Sequence, residues 1–382
     1  MDFELTRENS MIRGAIRDWV SKECTREIVS ELDEKGKFPN KLLKKLARLG
    51  FGGMMIPEAY EGEGRNILGA CLVVEEIAYV YPVLASCYIS PTFFGGAILS
   101  ELGSDQQKEQ YLSRIARDLT ITSLAFSEQD DADAEIIHLT AEKQGDTFIL
   151  NGAKAYVTLA DQADLLLVLA RISESSDGDD LTLFCVDAKT TGIAVETVET
   201  MGQRGAGYCN VTFDNVTLPA DTVLGGGNQN GSGRKQLAFI DDIVQLSYAA
   251  AAVGMSQGAF EYGLQHAKQR VQFGTAIGRF PAIGHMLSDT ACKIDAARLM
   301  VYRAAWMADK EKPCSKEINM AKCMGAEVAV KSAMNGLQVL GGYGYTMEYD
   351  IQRYIRDSVA LLSAGKSLDS VKEKIGASYG IA

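Results

Sequence analysis

Few residues in this sequence have types and spacings suited to chemistry. Arg270-Val271-Gln272-Phe273-Gly274 places a guanidinium three residues before an aromatic–glycine pair. A guanidinium stays charged at any working pH and grips phosphate oxygens in pairs, so Arg270 suits a pyrophosphate; a solvated arginine at a helix end is the plain alternative. In Gln338-Val339-Leu340-Gly341-Gly342-Tyr343-Gly344-Tyr345, glycines let a dinucleotide approach the backbone, and the same cluster can also stop a helix. His138, His266 and His285 lie far apart, and the eight cysteines form no CxxC pair. No zinc site or Ser-His-Asp triad is predicted, and the thiols read as reduced, as in a cytoplasmic protein.

The elements that must position these groups change character twice. Residues 1–120 read as helical, with Lys41–Leu49 at helical spacing and Gly50 as a stop. From 121 to 232 come short β-like runs: Leu124–Ser127, Thr147–Leu150, Leu165–Ala170, Leu181–Val186 and Val211–Phe213. The turn pairs Gly145-Asp146, Asn151-Gly152 and Asp177-Gly178 punctuate them. No useful helix separates the runs, which predicts antiparallel pairing. From 233 to 382 the chain is helical again, and Leu237–Gln269 reads as one long helix buried on several sides. The chain of 382 residues has a net charge of −12, which argues against nucleic acid as a partner. No unbroken run of about 18 apolar residues is present, so no membrane span is predicted, and acids in Met1–Arg13 argue against a signal peptide.

This α–β–α order carries motifs that resemble the acyl-CoA dehydrogenase family along almost the whole chain. Leu49-Gly50-Phe51-Gly52-Gly53 through Ile56-Pro57-Glu58-Ala59-Tyr60-Glu61-Gly62-Glu63-Gly64 is similar to the family's GxxGxxxPExYGGxG. Met201–Gly205 and Val211–Pro219 resemble its β-domain signature, Arg270–Gly274 its RxxFG, and Gln338–Tyr345 its Q[IV]xGGxG[YF]. The resemblance implies an α+β fold: an N-terminal helical domain, a middle antiparallel β-barrel and a C-terminal four-helix bundle. It implies FAD, held between subunits of a dimer or tetramer, with Arg270 reaching the neighbouring subunit's cofactor and Phe273, Gln338, Gly341 and Gly342 as further cofactor contacts. Asn151–Thr158 resembles NGxKxWIT, with Tyr156 in place of Trp, and Leu124–Glu128 resembles (A)LTE. Leu124, Phe126, Ser127, Tyr156, Val157, Thr158 and Ser367 are thereby implied flavin contacts. The implied substrate is an acyl-CoA or acyl-carrier-protein thioester, and the implied acceptor an electron-transfer flavoprotein.

The departures gather where the reaction would occur. The loop that reads PGAGSD in the family is Gln129-Asp130-Asp131-Ala132-Asp133 here, with Ala132 at the substrate-contacting serine. Counted from Arg356-Asp357, Gly365 falls on the glutamate that abstracts the α-proton. Relatives that carry the glutamate on the long helix place it at Val244, beside Gln245, and a third branch uses the loop that here reads Cys87–Thr92 without an acid. None of these can take a proton at neutral pH. Asp241, one turn before Val244, and Asp242 are the nearby carboxylates, and Tyr248 is a third candidate. A carboxylate buried there suits a base, while charges facing the helix dipole are the alternative. Asp242 and Gln245, with Gly365 and Ala132, are the expected substrate contacts. The expected activity is α,β-dehydrogenation with a relocated or absent base. Altered flavin chemistry of a desulfinase or oxygenase kind, or a non-catalytic paralogue, are the alternatives.

Overall fold

The computed structural model describes residues 4–129, 136–173, 180–229 and 231–381. The first segment is helical: α1 (Arg7–Glu23), α2 (Arg26–Glu34), α3 (Asn40–Ala47), α4 (Ile67–Val80), α5 (Pro82–Ile89), α6 (Ile98–Leu102) and α7 (Asp105–Asp118). A π-helical stretch, Ser90–Ala97, joins α5 to α6. After α3 the chain reverses at Gly50, whose φ of 82° is in the left-handed region. α7 opens with a reciprocal cap: the Ser104 hydroxyl accepts the Gln107 N–H, and the Gln107 side chain accepts that of Ser104. α4 is buried along most of its length, and its Glu75 and Glu76 carboxylates are met by Arg13, Arg17, Arg298 and Tyr302.

Seven strands follow: β1 (Thr122–Ala125), β2 (Thr140–Gln144), β3 (Thr147–Thr158), β4 (Leu165–Ile172), β5 (Leu181–Asp187), β6 (Ile193–Val198) and β7 (Tyr208–Pro219). They form one sheet ordered β1-β4-β2-β3-β7-β6, with β5 paired to β4. Most ladders are antiparallel as expected, but β4 runs parallel to β1 and to β2. A parallel return needs a long connection. In sequence the β2–β3 hairpin comes between β1 and β4 and takes the place of a crossover helix in that connection. β6 has no alternating burial to mark it in the sequence, because its middle four residues are all exposed.

Gly145-Asp146 is the two-residue turn between β2 and β3, with Gly145 at φ 61°. Asn151-Gly152 is not a turn. It is a register shift inside β3 opposite β7, and a Cβ on Gly152 would stand 2.8 Å from the Leu139 Cα. Asp177-Gly178 lies outside the described residues.

The last third is helical: α8 (Gly233–Gln269), α9 (Pro281–Asp309), α10 (Ser315–Leu340), α11 (Ile351–Ala360) and α12 (Leu368–Ser378). A small hairpin, β8 (Val271–Gln272) with β9 (Thr275–Ala276), separates α8 from α9. α8 starts four residues earlier than its apolar pattern and packs against α10, α4 and α9. Two helical stretches, Pro82–Leu102 and Gly233–Gln269, are long and apolar enough to cross a membrane by length and composition. Within their most apolar windows 89% and 72% is buried inside the protein. Scattered polar residues and glycines interrupt the apolar runs in both stretches, and their apolar faces are packed in the core.

Candidate active site

The start of α8, the end of α11 and two β segments enclose a cavity of ≈ 420 Å³. Its β wall is built from a buried ion pair. Lys154, fully buried, donates to the Phe126 carbonyl at 2.9 Å and to Glu128 Oε1 at 2.8 Å. Glu128 also accepts the His138 and Leu139 N–H groups at 2.8 and 3.0 Å. Burial alone would push the Glu128 carboxyl up; the Leu139 N–H, Lys154 and the His138 N–H more than offset it, and the group titrates below its ordinary range. The Ala155 N–H donates to the Ser127 carbonyl, and Leu124, Phe126 and Ser127 face the cavity. A second register shift in β3, between Lys154 and Val157, has Tyr156 at φ 55°. Tyr156 and Thr158 thus reach the cavity wall, while Val157 between them turns into the core.

α8 supplies the opposite wall. Leu237, Ile240, Asp241, Val244 and Tyr248 share one helical stripe along it. Asp241 is the only carboxylate among the described residues lining the cavity, and its Oδ2 accepts from Lys374 Nζ at 2.7 Å. Asp242 falls off the stripe. It accepts the Ser315 hydroxyl at 2.7 Å, and burial pushes its carboxyl up despite Ser315 and Lys374. Asp242, an expected substrate contact, is outside the lining of this cavity. The helix-dipole alternative falls too: α8 begins at Gly233, so both acids lie beyond the first turn, where the dipole field acts. Tyr248 lies at the wall 6.2 Å from the Phe94 ring, with its hydroxyl facing Thr158. Burial pushes that hydroxyl up to about 12, so Tyr248 is a proton donor rather than a base at neutral pH.

The floor is the turn after α11. Lys322, buried in α10, donates to the Leu361 carbonyl at 2.6 Å and holds this turn. Ser363, Ala364, Gly365 and Lys366 line the cavity, and Ser367 caps α12 by accepting the Ser370 N–H. Gly365 has φ 78°, and a Cβ on it would stand 2.7 Å from Gln245 Nε2 and 2.9 Å from Val244 Cγ1. Gln245 lies behind this wall rather than on it. Gly365→Glu is therefore expected to lower stability by about 1–3 kcal/mol, from backbone strain and overpacking, instead of restoring a base. Thermal unfolding checks this; an unchanged Tm would contradict the crowding.

α11 is tied to the loop Thr200–Gln203, which forms the cavity's side. Arg356 donates to the Met201 carbonyl at 3.0 Å and pairs with Asp33 at 2.7 Å; Asp357 accepts the Gln203 N–H at 2.6 Å. Burial pushes the Asp357 carboxyl from 3.8 to about 6, with the Gln203 N–H and Arg356 only partly offsetting it. The folded state then holds this proton more tightly than the unfolded chain does. Its contribution favours folding below about pH 4 and is lost as the pH rises to about 6. Asp357→Asn is expected to gain up to about 3 kcal/mol relative to the parent between pH 4 and 6.5. Urea unfolding at both pH values measures it; a constant difference would rule the titration out.

The remaining candidates assemble elsewhere. The Arg270 guanidinium lies 5.6 Å from the Tyr343 ring centroid, which brings the segments 270–274 and 338–345 together. Phe273 and Tyr345 are 94% and 89% exposed there, and Gly341 and Gly342 have open space beside them. Arg270 follows Val244 by 26 positions along or just past α8, roughly 39 Å at the helical rise. A single dinucleotide does not reach both groups within one chain. Ala132 lies outside the described residues. Phe94, Thr200, Tyr208 and Lys366 line the cavity without a signal in the sequence that singles them out, since none belongs to a chemical motif. Among the described residues no cluster of three or more His, Cys, Asp or Glu could hold a metal.

Family models match three consecutive parts of the chain: the acyl-CoA dehydrogenase N-terminal domain at residues 6–118, the middle domain at 123–216 and the C-terminal domain at 244–365. The chain is 34% identical to the caffeyl-CoA reductase–Etf complex subunit CarC of Acetobacterium woodii, over 92% of this chain and 93% of that one. It is 32% identical to a 3-(aryl)acrylate reductase of Clostridium sporogenes over 98% of both chains. The fold is similar to that of butyryl-CoA dehydrogenase from Megasphaera elsdenii, with a TM-score of 0.94, 28% identity, and 99% and 100% of the two chains covered. Three family domains in order, and relatives matched over nearly their full length, place this chain in the acyl-CoA dehydrogenase family.

Proposed function

We propose that this protein is an FAD-dependent oxidoreductase acting across the Cα–Cβ bond of an acyl thioester, with Asp241 as its relocated acid/base. The observation that carries the reading is the position of Asp241. Among the described residues it is the one carboxylate on the wall of a largely apolar cavity, across from the Ser127, Tyr156 and Thr158 segments.

The family brings FAD as the cofactor, and the residues fit it. Tyr156 offers a half-exposed aromatic face next to the Ser127 and Thr158 hydroxyls. Arg270 stands beside glycines whose backbone faces open space, which suits a pyrophosphate. Because these two half-sites sit near opposite ends of α8, the reading requires a dimer in which each chain completes the other's site. Bound FAD supplies the two-electron chemistry. This chain's residues do the rest. The stripe Leu237, Ile240, Val244 and Tyr248 excludes water. Lys374 holds the Asp241 carboxylate at the wall, and Asp241 takes up or returns the proton at Cα. Two relatives carry reductase names, and one is a subunit of an Etf complex, which supports an enoyl-reducing direction and an electron-transfer flavoprotein as partner. Free, mostly buried thiols support a cytoplasmic location.

The test mixes purified protein anaerobically with acyl-CoAs, and its photoreduced form with 2-enoyl-CoAs, while flavin absorbance is followed. Bleaching by the first set or reoxidation by the second supports the reading. A colourless protein that takes up no FAD overturns it. Bound FAD that responds to neither set, nor to carrier-protein thioesters, transfers the site to altered flavin chemistry or a non-catalytic paralogue.

A further inference from the structure

The cavity carries more aromatic surface than the proposed reaction needs. Phe126 and Tyr156 belong to the β wall, where the flavin is proposed. Phe94 and Tyr248 come from other elements, the π-helical stretch Ser90–Ala97 and α8. Both line the cavity, with ring centroids 6.2 Å apart and planes inclined at 60°. They are 4% and 9% exposed, so packing fixes most of each ring before a ligand arrives, which spares the ordering cost of a mobile side chain. A third ring, Tyr208, lines the cavity from the start of β7, opposite Thr158.

Their place along α8 says which part of a substrate they meet. The start of α8 lies nearer solvent: Leu237 and Asp241 are half-buried, whereas every residue from Ile243 to Ser256 is buried. A thioester's carrier therefore lies towards the start of α8 and its acyl tip towards Tyr248. Seven positions at the helical rise separate Asp241 from Tyr248 by roughly 10 Å, with Val244 between them on the same stripe. With Asp241 at the acyl Cα, the Phe94–Tyr248 pair receives what Cβ carries.

We infer that Cβ carries an aromatic ring, so that the substrate is a 3-arylpropionyl or 3-arylacryloyl thioester whose ring packs against Phe94 and Tyr248. The inference rests on the acyl-thioester reading above and narrows it. Ring faces are negative and ring edges positive, and an inclined pair shows a third ring both kinds of surface. A straight alkyl chain gains buried area there but no such contact. A cationic end group is also drawn to ring faces, but Arg356 and Lys366 line the same cavity and repel it.

The experiment is isothermal titration of the FAD-loaded protein, photoreduced and anaerobic so that saturated esters bind without reacting. The ligands are butyryl-CoA, 3-cyclohexylpropionyl-CoA and 3-phenylpropionyl-CoA; the two ring esters match in length and differ in aromaticity. The phenyl ester is expected to bind about tenfold more tightly than the cyclohexyl ester, since two aromatic contacts each contribute beyond their area. Tyr248→Leu and Phe94→Leu are each expected to cut that ratio to about threefold or less, and Tyr248→Phe, which keeps the ring, to preserve it. Should a leucine variant lose FAD, methionine, unbranched and adaptable in a core, takes its place. A ratio near one in the parent protein, or a ratio that survives the loss of either ring, overturns the inference; binding of butyryl-CoA then leaves the oxidoreductase reading standing. If FAD binds and no thioester does, on CoA or on a carrier protein, both fall.

Discussion

Asp241→Asn is expected to reduce flavin bleaching, or the reverse reduction of an enoyl thioester, by about 10²–10⁴-fold, the range that a positioned acid or base supplies. Removal or return of a proton at Cα needs a titrating group within hydrogen-bond reach. Gly365 has no side chain, Val244 is apolar, Gln245 cannot titrate, and Asp242 is turned to Ser315. Tyr248 is held protonated, pushed up to about 12 by burial. Among the described residues Asp241 remains, on the cavity wall and anchored by Lys374 at 2.7 Å. Asparagine keeps the shape and removes the charge. FAD content and the dissociation constant for the thioester should stay near those of the parent, since Asp241 is not among the proposed flavin contacts. Single-turnover absorbance kinetics separate these quantities. A bleaching rate within about threefold of the parent would exclude Asp241 as the acid/base. Lys374→Met should act in the same direction but more weakly, because the carboxylate would stay while its anchor is lost.

Lys154→Met is expected to destabilise the fold by about 3–5 kcal/mol at pH 7, the usual result of removing one partner of a buried ion pair. Both partners are buried, and Glu128 would keep only the His138 and Leu139 N–H groups. The pH dependence gives the signature. In the parent the Glu128 carboxyl lies below its ordinary range, so its contribution is present above the unfolded value and lost as the pH falls. Without the ammonium, burial dominates and the folded-state value rises. The gap between the two proteins should therefore narrow as the pH falls, because the variant's carboxyl takes up its proton before the parent's does. Guanidinium unfolding at pH 7 and pH 4.5 measures it, and a gap that does not narrow would show that packing, not charge, sets the loss. FAD retention should fall in parallel, because Lys154 also holds the Phe126 carbonyl and so the Ser127 edge of the cavity.

The periodic parts of this fold are readable from residue order alone. α8 announces itself by apolar spacing from Leu237 onward, and Gly145-Asp146 by the turn that only such a pair makes tightly. The fixed-spacing motifs are readable as well: Arg270–Gly274 and Gln338–Tyr345 stand out by residue type and spacing, and the fold brings the two segments together. β6 is not readable, since an exposed edge strand alternates nothing, and neither is β4's parallel pairing, which depends on where the β2–β3 hairpin carries the chain.

The site divides along the same line. Composition and spacing determined that no carboxylate stands at position 365 or 244 and that two acids stand one turn away. Which of the two faces the cavity was decided by the rotation of α8: successive helical residues point about 100° apart, so Asp241 reaches the wall and Asp242 reaches Ser315. That Phe94 and Tyr248 meet on the cavity wall was likewise invisible. A ring pair is a relation between two elements far apart in sequence, here the π-helical stretch and α8, and residue order specifies it only once the chain is packed.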